Sequence, residues 1–438
     1  MRRLAGLVAL AVMSAGTAYG EQATPTQSPY TFEPSEYKQK ELEFGGYLEG
    51  KLEGFDLNRG SAFYELNKPA GHRPELNERS TGTVELTGKL HKGIVTLNFT
   101  AHADADQDAV FGKDQDAELY EGGLNLQPTT GLSFYLGKKT LLWGKGYAWN
   151  PVGFLQRPKD PTDPNLSREG FWMATANYTR SLGEGPVRTV GLTTAFIPTT
   201  PDLNSDFGQA YNYDVAGKLY MLVGHTDIDF MGLSGGAKGE RFGADFSSAV
   251  TSALEVHGEV ARINDSMRTV LNSAGQPTQI VSDVTSYLLG LNYLTETDTT
   301  YIVEYYHNGE GFRNSEADSF YSLAHDAFAQ FRSTGNTVLL QKADMISNAY
   351  MRPNPMRDYV NFKVSQKEPF NILYFTPSLT IQANLTDHSC TILPELLYTG
   401  FKNIELRGRA QANIGPYQTE FGEKQADARV EFRVRYFF

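Results

Sequence analysis

Hydrophobic and polar residues alternate with a period of two along most of the chain. In the first such segment Leu42, Phe44, Gly46, Leu48, Gly50 and Leu52 share one face, while Glu43, Tyr47, Glu49, Lys51 and Glu53 share the other. Successive side chains of a β-strand point to opposite sides of its sheet, so this spacing predicts a strand with one apolar and one polar face. The last segment is the clearest: Ala426, Ala428, Val430, Phe432, Val434, Tyr436 and Phe438 alternate with Asp427, Arg429, Glu431, Arg433, Arg435 and Phe437. Just before it, Ile404, Leu406, Ala410, Ala412 and Ile414 alternate with Glu405, Arg407, Arg409, Gln411 and Asn413. A single strand of this kind fits a soluble antiparallel sheet as well as a barrel wall in lipid.

The connections separate the two. Eighteen strands are predicted, near 42–57, 80–90, 94–105, 117–127, 132–143, 171–182, 187–197, 213–224, 228–234, 242–251, 254–263, 284–294, 300–309, 359–366, 372–385, 390–399, 404–414 and 426–438. The pair 228–234 and 242–251 rests on the weakest alternation, and without it the count is sixteen. Every even-numbered connection is turn-sized, from His91-Lys92-Gly93 to Phe401-Lys402-Asn403. The odd-numbered ones include all the long segments, near 58–79, 144–170, 198–212, 264–283 and 310–358. Short turns on one side and long loops on the other are the mark of an outer-membrane barrel. The predicted fold class is therefore all-β: one closed antiparallel transmembrane β-barrel over residues 41–438.

Hydropathy agrees by exclusion. After residue 20 no stretch approaches 18 apolar residues, so helical spans are not expected, and a barrel escapes that test because only alternate residues meet lipid. Residues 1–20 read as a secretory signal: Met1-Arg2-Arg3, an apolar run from Leu4 to Val12, then small Ala18 and Gly20. Residues 21–40, rich in Pro, Gln, Thr and Ser, read as a flexible periplasmic lead. Removing the signal takes two arginines from a chain of net charge −12, leaving −14. That acidity argues against nucleic acid as a partner. The lone Cys390 excludes an internal disulfide and a cysteine-based zinc cluster.

The terminal run Val434, Tyr436, Phe438 resembles the C-terminal signature of Gram-negative outer-membrane barrels of the porin-like superfamily, which the barrel-assembly machinery reads. Trp143-Gly144-Lys145-Gly146, followed by Asn150-Pro151, Asp163-Pro164-Asn165 and Arg168, is similar to a segment of porin-like outer-membrane proteins. The resemblance implies Sec-dependent export to the bacterial outer membrane, contact with its lipid, and passive passage of small hydrophilic solutes. Porins are often trimers, so a homo-oligomer is compatible with it. Eighteen-strand barrels also serve as sugar and basic-amino-acid porins and as alginate exporters, so the count names no substrate. A structural sheath around a secreted polymer or an electron carrier is the rival function.

Candidate chemistry lies on the polar faces. Closing the last strand on the first places Arg429, Glu431, Arg433 and Arg435, with Arg407 and Arg409, against Glu43, Glu49 and Glu53. This pore-lining ladder either sets a transverse field or pairs off across neighbouring strands. Loop 144–170 carries Lys145, Arg157, Lys159, Asp160, Asp163 and Arg168 among prolines, and reads either as a rigid external loop stiffened by proline or, folded inward, as a constriction of mixed charge. Loop 310–358 is too long to be featureless. Within it Ser315 caps a predicted short helix whose stripe is Phe320, Leu323, Ala324, Ala327, Phe328 and Phe331. Asp104, Asp106, Asp108, Asp114 and Asp116 read as a solvated acidic rim, since Ala109 and Gln115 stand where a calcium loop needs glycine and glutamate. The chain has no nucleotide loop, HExxH or GxSxG motif, and His307 beside Asn308 has no nucleophile at a supporting distance in the sequence. No enzyme activity, cofactor or metal is expected.

Overall fold

The computed structural model describes residues 41–164, 166, 169–272 and 275–438. The expected signal and lead, and Arg168, lie outside the described residues. Eighteen strands form: β1 (Leu42–Leu57), β2 (Leu76–Lys92), β3 (Val95–Asp108), β4 (Gly112–Thr129), β5 (Leu132–Lys139), β6 (Phe171–Ser181), β7 (Val187–Thr199), β8 (Asn212–Val223), β9 (Thr226–Gly235), β10 (Arg241–Ala249), β11 (Leu254–Leu271), β12 (Pro277–Leu294), β13 (Thr299–His307), β14 (Asp358–Gln366), β15 (Phe375–Asn384), β16 (Ser389–Phe401), β17 (Ile404–Ile414) and β18 (Ala426–Phe437). Each pairs antiparallel with its chain neighbours, and β18 returns onto β1 in a register that sets Glu49 opposite Arg435 and Leu52 opposite Phe432. Closure leaves no row of unpaired N–H and C=O groups, which is the condition for strands to cross a bilayer.

The two phases of each strand separate as the alternation requires. Leu52 is 61% exposed and Glu53 only 4%; Val430 is 61% exposed and Glu431 5%. The apolar phase faces outward and the charged phase inward, the reverse of a soluble sheet. At the short-turn end aromatic rings gather at the seam, with Phe44 and Phe438 6.5 Å apart between ring centres.

The structure corrects two loops. Segment 264–283 is not a long loop, because β11 runs on to Leu271 and β12 begins at Pro277, and β3 and β4 likewise meet through 109–111 alone. At 18 residues each, β11 and β12 run about 60 Å along the strand, which at the usual tilt of roughly 35–45° still rises well past the ~25 Å apolar band of such barrels. In their outer halves the alternation fades although the backbone ladder continues, for Val270 and Leu271, one in each phase, are both buried, and Ile280 and Val281 are both exposed. The acidic rim is part of that ladder. Asp104 accepts from Thr83 Oγ1 at 2.7 Å and Asp108 from Asn77 Nδ2 at 2.9 Å.

The helical content also differs from expectation. Loop 308–357 holds two helices, α2 (Asn314–Thr334) and α3 (Val338–Met351), and α1 (Ala62–Asn67) lies between β1 and β2. Taking α1 as the first of the three in chain order, its start is capped by Ser61 Oγ, which accepts from the Tyr64 N–H. Ser315 falls inside the first turn of α2, not at its cap; the Glu316 carboxylate accepts the Arg313 N–H at 2.9 Å instead. The helix ends at Gly335, whose φ of 73° suits glycine. Phe320, Ala324 and Ala327 of the predicted stripe are buried, joined by Ala317 and Tyr321.

Candidate functional site

Loop 140–170 leaves β5 and, before rejoining β6, touches wall strands around the ring. Near its start the Lys145 and Gly146 N–H groups donate to Glu259 Oε1 on β11 at 2.6 and 2.7 Å. The Ala148 N–H donates to Glu304 Oε2 on β13 at 2.8 Å, and the Tyr147 N–H donates to the same carboxylate. Lys145 Nζ lies 2.8 Å from Asp229 on β9 and 3.8 Å from Asp245 on β10. Lys363 on β14, directly across an eighteen-strand ring from β5, donates to the Tyr147 hydroxyl at 2.6 Å. Further along, Asp163 accepts from Arg409 of β17 at 2.9 Å and from Arg433 of β18 at 3.5 Å.

The loop is thus a strap held at its two ends by opposite charges. At one end Asp229, Asp245 and Glu259 sit side by side in adjacent strands, Asp245 being the register partner of both others. Such a row of like charges is unfavourable unless answered. Lys145 and the backbone N–H groups of the loop answer it. Gly144 and Gly146 explain the Trp-Gly-Lys-Gly run: Gly144 has φ +96°, a Cβ there would stand 2.6 Å from Glu259 Oε1, and one at Gly146 would stand 2.1 Å from the Trp149 carbonyl. At the other end Arg407, Arg409 and Arg433 surround Asp163. Burial alone would raise the Asp163 carboxyl, but the Arg409 hydrogen bond and the three guanidinium charges outweigh it and hold the carboxyl below its usual range.

The predicted ladder pairs partly between neighbouring strands and partly along single strands. Arg435 meets Glu49 at 2.6 Å, Arg429 meets Glu53 at 3.3 Å, Arg433 meets Glu431 at 2.8 Å, and Arg407 meets Glu405 at 3.0 Å. Arg409 also pairs with Glu395. Glu43 is apart from this group: it is exposed near the strand end, and its register partner on β2 is Lys89. Within the loop, Lys145 and Asp163 make the cross-lumen contacts. Arg157 pairs with Glu169 and Asp206, Lys159 donates to the Gly146 and Tyr147 carbonyls, and Asp160 caps a local turn at Thr162. Replacing Asp163 with alanine leaves three arginines short of a partner, and should cost about 1–3 kcal/mol. The check is a lower melting temperature of the folded band on unheated gels.

Asp229, Asp245, Glu259 and Glu304 were not singled out by sequence reasoning. Their signal is present, since each stands in the polar phase of its strand, but nothing in the sequence says that a loop from β5 is what they bind. A second signal was readable. Two strand stretches are apolar in both phases, Phe171-Trp172-Met173 at the start of β6 and Phe230-Met231 within β9, where the outward residues are exposed and Phe171, Met173 and Met231 are buried. These inward residues, with Ile197 and Leu233, pack on Trp143, Val152, Phe154 and Leu155 of the loop. A second dry cluster joins Ala148 and Trp149 of the loop to Phe312, Phe320, Tyr321 and Tyr350 from the α2–α3 segment and to Phe63 of α1.

No protein-family model and no curated protein matches the chain. Among solved structures it is similar to Pseudomonas aeruginosa OccK11 (OpdR), with 10% identity and a TM-score of 0.52 over 91% of this chain and 96% of that one. This chain has the fold of a porin-like outer-membrane barrel. A Rhodopseudomonas blastica porin also aligns, at 10% identity and a TM-score of 0.43, over 91% of this chain and all of that one.

The helices of this porin-like barrel are fastened at one more point. His325 of α2 bridges two carboxylates, with Nδ1 2.7 Å from Glu65 Oε2 on α1 and Nε2 3.1 Å from Glu423 Oε2 in loop 415–425. The Tyr417 ring stacks on it at 4.7 Å. Burial pulls the imidazole down, but the Glu423 and Glu65 hydrogen bonds and charges outweigh that and push it up to about 9.

Proposed function

We propose that this chain is a channel for passive diffusion of small hydrophilic or charged solutes across the bacterial outer membrane, exported there by a cleavable signal at residues 1–20. The observation that carries the reading is the strap: Lys145 against Asp229 on one side and Asp163 against Arg409 on the other. A loop fixed across the lumen narrows the path without sealing it by a separate domain, and lines it with both signs of charge. Selection then follows from size and from the field between the acidic row on β9–β11 and the arginines of β17 and β18. No bond is made or broken. The rival reading, a sheath around a polymer or electron carrier, needs an unobstructed bore, which a loop crossing the lumen disfavours.

The test is single-channel conductance of the refolded mature chain in a planar bilayer, with reversal potentials under a salt gradient. Discrete conductance with a defined ion preference is expected. A correctly folded barrel that stays silent overturns the proposal.

A further inference from the structure

At the long-loop end a cavity of about 420 Å³ opens between loops 140–170, 236–240 and 308–357. Five cations line it, Arg157, Lys159, Lys238, Arg241 and Arg352, against two carboxylates, Asp206 and Glu310. In a chain of net charge −12 this is a local inversion of sign. Both carboxylates are engaged: Asp206 pairs with Arg157, and Glu310 accepts from Ser266 Oγ at 2.7 Å. Lys238 donates to the Phe154 carbonyl at 2.9 Å and Arg352 to the Glu310 carbonyl at 2.6 Å, which leaves their charges unanswered by any carboxylate within ion-pair distance among the described residues. The Nε groups of Arg241 and Arg352 are buried with no hydrogen-bond partner among the described residues.

We propose that this cavity binds a small solute through a tetrahedral oxyanion, a phosphate or sulfate group. The cations arrive from three separate loops and, with Arg241, from the start of β10, so they meet a ligand from several directions. A planar carboxylate is satisfied by one guanidinium fork, whereas a tetrahedral group offers oxygens to several donors at once. Phe154, Phe171 and Tyr306 form an apolar wall for the organic remainder of the solute. Burial, with the neighbouring Arg241 next, pushes the Lys238 ammonium down to about 7. An empty site therefore works against its own positive charge, and an anion relieves it.

The proposal deepens the channel reading by naming a solute class, yet binding can be measured without any current. Inorganic phosphate is titrated by calorimetry into the folded barrel in detergent at constant chloride, with succinate as the carboxylate comparison. Saturable phosphate binding is expected, weakened about tenfold or more by Lys238→Met with Arg241→Gln. Lys92→Gln, at the far end of the barrel, is expected to bind as the parent does. Each variant is first shown to be folded by its gel shift. Equal affinity of the parent and the double variant overturns the site, and succinate binding as tightly as phosphate overturns the tetrahedral class. Phosphate binding to a barrel that is silent in bilayers would keep the site and sink the channel; conductance without phosphate binding would do the reverse.

Discussion

Replacing residues 145–164 with a short glycine-serine linker is expected to raise single-channel conductance severalfold and to weaken ion selectivity. The strap occupies the lumen through contacts on β9, β10, β11, β13, β14, β17 and β18. Its removal takes Trp149, Val152, Phe154 and Leu155, all buried, out of the bore along with both charged anchors. The wall itself is held by its own ladder of antiparallel pairs and closes without the loop. The variant also exposes the acidic row Asp229, Asp245 and Glu259 without Lys145, so its residual preference should move towards cations. An excised barrel that folds, inserts and conducts as the parent does would mean that the path runs clear of this loop.

How much of this was legible in the sequence depends on which interaction each element answers to. Strand phase, loop parity and the closing register of β18 on β1 follow from lipid outside and water inside, and alternation alone carries them. Even the weak pair, β9 and β10, is present. The outer halves of β11 and β12 were hidden because the period of two is lost there, with Val270 and Leu271 both buried and Ile280 and Val281 both exposed. The second helix was missed because the apolar residues of α3, such as Leu340, Ala343 and Ile346, answer to α2 and not to any wall. The ion pairs of the charged ladder are local, between adjacent strands or two residues apart on one strand, so their partners stand in the polar phase the alternation displays. Asp163 was visible as a charge in a proline-rich loop, but its partners Arg409 and Arg433 lie 246 and 270 residues away, where spacing says nothing.

Raising the pH through about 9 is expected to loosen α2. The folded His325 holds its proton up to about 9, against 6.5 for an ordinary imidazole. The extra stability from Glu65 and Glu423 is therefore fully present below pH 6.5, declines above it, and is lost as pH rises through 9. With solvent screening of a partly exposed group, the loss is about 1–2 kcal/mol. Hydrogen exchange in 314–334, corrected for the intrinsic pH dependence, should quicken between roughly pH 8 and pH 10 while the β-strands stay protected. His325→Phe keeps a ring against Tyr417 and cannot bridge the carboxylates, so its α2 should exchange faster at pH 7 and show no further step. A parent protein whose α2 is equally protected at both ends of that range would remove the imidazole from any fastening role.

The sequence distance between the strap and its arginines also orders events in time. The short-turn hairpins of the wall close between chain neighbours within a few residues, so each can form locally. The strap from β5 has its second anchor in β17 and β18, the last strands made. Until those strands are in place, Asp163 has no guanidinium of theirs to meet. Docking of the strap's second anchor is thereby a late step, and the strap is fixed at both ends only once β17 and β18 are in the wall.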